Sequence, residues 1–215
     1  MPRVYIYVID RDFGFAPNPF HGFCTLATCK PIIRRTAQTG DWIVGMGGSR
    51  LKVTGHCIFA MRVDECMTFD AYWSDPRFLA KRPVRNGSSK MMVGDNIYHR
   101  DGPDTPWVQE DSHHSLPDGQ FNLANLSQDT QTNRVLISRH FLYFGADAPD
   151  VPAEILFKLG YANCRFHRVF KLAECSLLFD WFNQTYATKF GLVLGDPFDF
   201  AHSSKRYSPV GDRIN

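Results

Sequence analysis

The sequence has no Cys-x-x-Cys pair, no apolar run near the roughly 20 residues that span a bilayer, and no large surplus of either charge. The first absence weighs against paired zinc knuckles, and the second removes a membrane-spanning helix. With 24 Lys and Arg against 22 Asp and Glu, the formal charge is only +2, too little for a protein that coats duplex DNA through its phosphates. Any nucleic-acid contact is therefore expected to be local. Also missing are a Gly-x-x-x-x-Gly-Lys-Ser/Thr phosphate loop, a Gly-x-Ser-x-Gly elbow, and a His-x-Glu followed by Pro-Cys-x-x-Cys. P-loop hydrolases, lipase-type hydrolases and zinc deaminases are disfavoured accordingly. There is no internal repeat and no low-complexity tract.

Six cysteines, at positions 24, 29, 57, 66, 164 and 175, are scattered along the chain. No secretory leader pattern opens the sequence, so they are expected to be reduced thiols of a cytoplasmic protein. Cys24 and Cys29 with His21 nearby suggest zinc, but no second knuckle matches them, and no metal is expected. Cys24 beside Thr25 has the makings of a nucleophile only if a basic partner reaches it, with His21 and Lys30 its sequence neighbours; the alternative is an inert buried thiol.

What is present is enough for a full core: 215 residues, 44% hydrophobic and 14% aromatic. One domain over residues 1–215 is expected, with its core in 1–200 and a loose tail in 201–215. Residues 3–9, nearly all β-branched or aromatic, read as a strand buried on both faces. A helix over 31–39 accepts Pro31 in its first turn and stops at Gly40. Strands follow at 42–46 and 53–63, then a short helix from Phe69 capped by Thr68, a strand at 133–143, a short helix at 153–159 closed by Gly160, a strand or edge at 164–172, and an amphipathic helix through Leu177 and Tyr186. Strands outnumber helices and run on as meanders. The fold class is α+β, a curled mixed or antiparallel sheet or partial β-barrel with short peripheral helices.

Function is expected in residues 10–50, a Gly- and Pro-rich stretch that carries Arg11, Asp12, Asn18, His21, Cys24, Thr25, Lys30 and Arg34 among aromatics. Arg11 and Asp12 make a ligand-orienting pair or an ion pair that holds the loop. Asn18 offers both an acceptor and a donor, as reading a base edge requires, or it caps a turn between prolines. Lys30 and Arg34, one helical turn apart, are expected to face an anion together. Asp41, after Gly40 and before an apolar strand, is expected to accept backbone amides rather than do chemistry. A second polar stretch holds Asp95, Asn96, His99, Asp101, Asp111, His113 and His114, residue types suited to general acid and base catalysis. The two stretches, 10–30 and 94–114, are expected to close over one pocket.

Several of these motifs occur together in a known family. Arg11-Asp-x-Gly-Phe-Ala-Pro-Asn-Pro-Phe20, Cys24-Thr-Leu-Ala-Thr-Cys-Lys-Pro31, Ile33-Arg34, Gly40-Asp41-Trp42, Gly94-Asp95-Asn96-Ile97-Tyr98 and Val135-Leu-Ile-Ser138 resemble the nucleotide modification associated domain, type two, over about 140 residues. That resemblance implies association with the enzymes that modify DNA bases in bacteria and phages; it brings no list of catalytic residues. The run Gly40-Asp41-Trp42-Ile43-Val44 is also similar, over a short span, to the strand entry of PUA-like, ASCH and EVE barrels, which read nucleic-acid bases.

The functional expectation is a module that binds a nucleotide or an exposed base between the 10–34 loop and the 94–114 segment. Arg11, Asn18, His21, Thr25, Lys30, Arg34 and Asn96 would hold the ligand. The alternative is a transferase or hydrolase acting on a nucleotide or nucleic acid, with His99 or His113 as base and Asp95 or Asp12 as its partner. A third reading is a structural partner of a base-modification complex. The partners are then a nucleotide or nucleic acid and other proteins of such a system. No cofactor is identified.

Overall fold

The computed structural model describes residues 1–102 and 104–215, and the chain divides into two compact units. The first comprises Met1–Asp12, Ala37–Glu65 and Ser138–Phe198; the second comprises Phe13–Thr36, Cys66–Ile137 and Asp199–Asn215.

The first unit is built on a six-stranded mixed sheet in the order His167–Lys171, Arg3–Ile9, Trp42–Gly47, Cys57–Arg62, Phe141–Tyr143, Leu192–Val193. Arg3–Ile9 is a central strand, as its apolar run predicts, antiparallel to His167–Lys171 and parallel to Trp42–Gly47. The sheet is open and does not close into a barrel. Val4, Ile6, Val44, Ala60 and Leu142 form one apolar face that packs with Leu178 and Phe182 of the helix Ser176–Tyr186. The register between Trp42–Gly47 and Cys57–Arg62 shifts at Gly45 and Met46. A Cβ at Gly45 would fall 2.3 Å from the Phe59 ring, so the bulge needs glycine for close approach.

The strand expected over 133–143 is two strands, Val135–Ser138 and Phe141–Tyr143, in different sheets. The cause is Asp64, whose Oδ2 accepts the backbone N–H groups of Arg139 (2.7 Å) and His140 (3.1 Å) and so takes both out of any ladder. Asp41 behaves as its position before an apolar strand predicts. Its carboxylate accepts Arg3 N at 2.7 Å and Gln38 N at 2.9 Å.

The second unit has a three-stranded sheet in the order Cys24–Leu26, Val135–Ser138, Glu65–Met67, a two-stranded ribbon of Tyr98–His99 with Val108–Gln109, and the helices Pro31–Thr36, Phe69–Ser74, Ser89–Met92 and Leu123–Asp129. Thr68 caps Phe69–Ser74 by accepting Ala71 N at 3.2 Å, as its hydroxyl predicts. An aromatic core of Phe13, Phe15, Phe20, Phe69, Tyr72, Phe78 and Tyr98 fills the unit. The residues expected to be a loose tail instead pair Tyr207–Ser208 with Arg213–Ile214, and Tyr207 N donates to His113 O at 2.7 Å. No helix among the described residues is long and apolar enough to cross a membrane.

Candidate catalytic site

Cys29 lies in the connection between the strand Cys24–Leu26 and the helix Pro31–Thr36, and it carries a φ of +57°, followed by Lys30 at +38°. Two consecutive side-chain-bearing residues in the left-handed region cost about 1–3 kcal/mol each and persist only where their surroundings force them. Here the forcing groups are Asp129 and Arg34. Cys29 N donates to Asp129 Oδ1 at 2.6 Å, and the Cys29 carbonyl accepts Arg34 Nε at 2.8 Å.

Asp129 ends the helix Leu123–Asp129, whose start Asn122 caps by accepting Ala124 N at 3.1 Å. A carboxylate at a helix C-terminus opposes the dipole, so Asp129 has to be held by other donors. Tyr98 donates its hydroxyl to Asp129 Oδ2 at 2.9 Å, and His114 donates from Nδ1 to the same oxygen at 2.8 Å. Although burial works the other way, the imidazole and the Arg34 guanidinium keep the Asp129 carboxyl below its usual range. The His114 carbonyl is fixed as well, accepting Gln109 Nε2 at 3.0 Å and Asn125 Nδ2 at 2.8 Å.

The bond from Nδ1 to the carboxylate orients the other ring nitrogen. His114 Nε2 faces Cys29 Sγ at 3.7 Å. His114 and Asp129 are buried, at 2% and 1% exposure, whereas Cys29 is partly exposed. Burial would depress the imidazole, but Asp129 and then Cys29 outweigh it and raise His114 to about 10. A thiol, an imidazole and a carboxylate gathered in one cluster, with Cys29 the only partly exposed residue of the three, supply the residue types of a nucleophile, its base and the group that orients the base.

The neighbouring histidine is tuned in the opposite sense. His113 is packed on Phe13 and Phe15 with ring centroids 4.4 and 5.2 Å away, and its Nδ1 donates to Lys205 O at 2.7 Å. Burial and then the His114 charge lower it to about 3, so it stays neutral. Adjacent imidazoles pushed this far apart mark a site where protonation states are assigned by environment.

The same three side chains place donor atoms within 4.8 Å of one another, close enough for a metal ion. Three of the four carboxylate lone-pair sites of Asp129 already accept protein donors, which leaves Sγ, Nε2 and one site on Oδ1 as ligand positions. The nucleophile arrangement uses every one of these contacts as it stands.

The other residues expected to form a site are distributed as follows. Asn18, Thr25 and Asp95 meet around Lys81, which is fully buried. The Lys81 ammonium donates to Asn18 Oδ1 (2.7 Å), Asn18 O (2.9 Å), Phe23 O (2.9 Å) and Thr25 Oγ1 (3.0 Å). Asp95 accepts the hydroxyls of Thr25 (2.6 Å) and Tyr72 (2.8 Å). Burial lowers Lys81 to about 8 and raises Asp95. This closed network joins the two polar stretches within the second unit. Asn96 donates to Tyr72 O at 3.0 Å, while its Oδ1 is buried without a partner among the described residues. His99 stacks on Trp73 at 4.1 Å and meets Glu110 Oε1 at 2.9 Å.

Arg34, expected to face an anion beside Lys30, is instead completely buried, its guanidinium donating to the carbonyls of Cys29, Thr132, Arg134 and Asp129. Lys30 is partly exposed and His21 exposed. In the first unit Asp12 is buried and accepts the Tyr143 hydroxyl at 2.6 Å, and Arg11 is partly exposed. Cys24, the thiol weighed as a nucleophile, is buried, and burial pushes its titration far up. Sequence reasoning missed Cys29 with His114 and Asp129. Separations of 85 and 15 positions leave no local signature, and only a search for a thiol, a histidine and an acid far apart along the chain would have paired them.

The sequence model of nucleotide modification associated domain 2 matches residues 1–204. The chain belongs to that family. No curated protein and no solved structure matches it. The family ties the chain to nucleotide modification, and the match includes Cys29, His114 and Asp129.

Proposed function

We propose that the protein is an enzyme of nucleotide modification, a transferase or hydrolase in which Cys29 is the nucleophile, His114 the proton carrier and Asp129 the group that holds His114. The observation that carries this reading is the pair of contacts His114 makes, Nε2 to Sγ at 3.7 Å and Nδ1 to Oδ2 at 2.8 Å, with Cys29 the partly exposed member of the cluster. The thiol proton passes to His114 Nε2, which faces Sγ at 3.7 Å. The thiolate attacks an electrophilic sp² carbon of the substrate, forming an S–C bond. The leaving amine or alkoxide departs with the proton from Nε2. An acceptor then gives its proton to Nε2 and attacks the same carbon, and the S–C bond breaks to return the thiolate. A nucleotide amine or hydroxyl as acceptor makes the reaction a transfer, and water makes it a hydrolysis.

Nucleotide binding, the expectation drawn from the sequence, becomes the substrate side of this chemistry. Other proteins of a base-modification system are the natural suppliers and users of its product. The test is competitive alkylation with iodoacetamide below saturation, mapped by peptide mass spectrometry. Cys29 is expected to label well ahead of Cys66 and Cys164, which are also partly exposed, and His114→Asn is expected to remove that lead. Equal labelling of the three thiols in the wild-type protein would refute the nucleophile.

A further inference from the structure

The first unit contains a cleft of about 600 Å³ that the thiol chemistry does not use, a volume within the range of small-ligand sites. It lies between Trp42, His140, the corner at Lys171 and Leu172, and the helix Ser176–Tyr186. One wall is aromatic. The Trp42 ring packs on Phe179 at 4.6 Å and on His140 at 5.5 Å, and His140 in turn stacks on Phe190 at 4.2 Å with only 8° between planes. Burial, with Arg62 next, lowers His140 below its usual range, so this wall is uncharged at neutral pH.

The facing helix has two different sides. Leu178 and Phe182 are buried in the sheet core, while Ser176, Phe179, Asp180 and Asn183 all line the cleft. Their spacing of three, four and seven residues from Ser176 puts them in one stripe. Asp180 and Asn183 are exposed, so neither is consumed by the core. The carboxylate only accepts, and the amide both donates and accepts.

This combination narrows the occupant. An apolar chain would cover Asp180 and Asn183 without satisfying them, at about 1–3 kcal/mol each. A bare anion would meet the Asp180 carboxylate and gain nothing from the aromatic wall. A planar ring with apolar faces and a mixed donor and acceptor edge satisfies both, and Lys171 at the rim supplies a cation for an attached phosphate. We propose that this cleft binds a nucleoside monophosphate, its base against Trp42 and Phe179 and its edge read by Asp180 and Asn183.

The test uses the full chain labelled with 5-fluorotryptophan, the Trp42 signal in ¹⁹F NMR being assigned with Trp42→Phe. AMP, GMP, CMP and TMP are titrated, with ribose 5-phosphate and inorganic phosphate as base-free controls and a hydrophobic dye as an apolar control. At least one nucleotide is expected to shift the Trp42 signal saturably while the base-free controls do not. Asp180→Ala and Asn183→Ala are each expected to weaken that nucleotide about tenfold with the circular dichroism unchanged. Cys29→Ser is expected to bind as the wild type does, so the cleft stands or falls independently of the thiol. The proposal is overturned by any of three results: no nucleotide saturates, ribose 5-phosphate or the dye produces the same shift, or both helix variants bind at full strength.

Discussion

Cys29 Sγ and His114 Nε2 lie 3.7 Å apart across 85 residues of chain, and the far nitrogen of the same ring is bonded to Asp129 at 2.8 Å. An imidazole held from one side by a buried carboxylate presents its other side in a fixed direction. Here that direction is toward the sulfur of Cys29, a partly exposed residue. Both stretches that the sequence marked as polar and functional contribute to this cluster, but through members other than those expected to do the chemistry.

Asp129→Ala is expected to be among the most damaging single changes in the second unit. It strips the His114 imidazolium, Tyr98 and Cys29 N of their common acceptor, and breaking a buried pair by removing one partner costs about 3–5 kcal/mol. Urea denaturation should show a lower midpoint with an unchanged slope. Asp129→Asn, closer in shape, should retain more of the stability yet slow Cys29 alkylation at least tenfold, since an amide cannot support the imidazolium. Wild-type stability for the Ala variant would contradict this account.

The alkaline side of the stability profile should be set by His114. Its folded titration point, about 10, lies above the ordinary 6.5, so the native state holds a proton that the unfolded chain has released. The stabilisation is complete below about 6.5 and is lost as pH rises through about 10. Asp129 has the opposite sign, its support being lost as pH falls below the usual carboxylate range. Melting temperatures measured at intervals from pH 5 to 10 should therefore decline on the alkaline side in the wild type and decline less in His114→Asn. Parallel curves would remove His114 as the titrating group.

Arg34→Lys should destabilise the fold, whereas Lys30→Ala should not. An ammonium cannot reproduce the planar fork that reaches four carbonyls from one buried position. At least one carbonyl is left without a donor, at about 1–3 kcal/mol. Loss of the bond to the Cys29 carbonyl should also relax the left-handed turn and lower the reactivity of the thiol. Thermal melts and alkylation rates of the two variants, compared side by side, decide it; a fully stable Arg34→Lys protein would show that the fork is dispensable.

Asp41→Ala should cost about 1–2 kcal/mol by leaving the amides of Arg3 and Gln38 without their acceptor. Cys29 alkylation by the folded variant should match the wild type. A variant with an unchanged melting temperature and altered thiol reactivity would contradict the structural role of Asp41.

By itself the sequence determined what neighbouring residues can enforce. The apolar run at Arg3–Ile9 is a central strand, the Thr68 hydroxyl starts Phe69–Ser74, Gly160 takes φ +60° to end Ala153–Leu159, and the carboxylate of Asp41 accepts amides at a strand entry. Each follows from side-chain periodicity or from a cap within a few residues. The family was legible too, because its motifs are contiguous. Tertiary structure alone decided the break at Arg139 and His140, imposed by Asp64 about 75 residues away, and the burial of Arg34, whose carbonyl partners come largely from residues 129–134. It also decided which thiol faces which imidazole. Cys24 and Cys29, or His113 and His114, are nearly interchangeable in sequence, but Cys24 is fully buried and His113 packs on Phe13 and Phe15, while Cys29 and His114 face each other. Hydrogen bonding and desolvation act through space, so those choices appear only once the chain has folded.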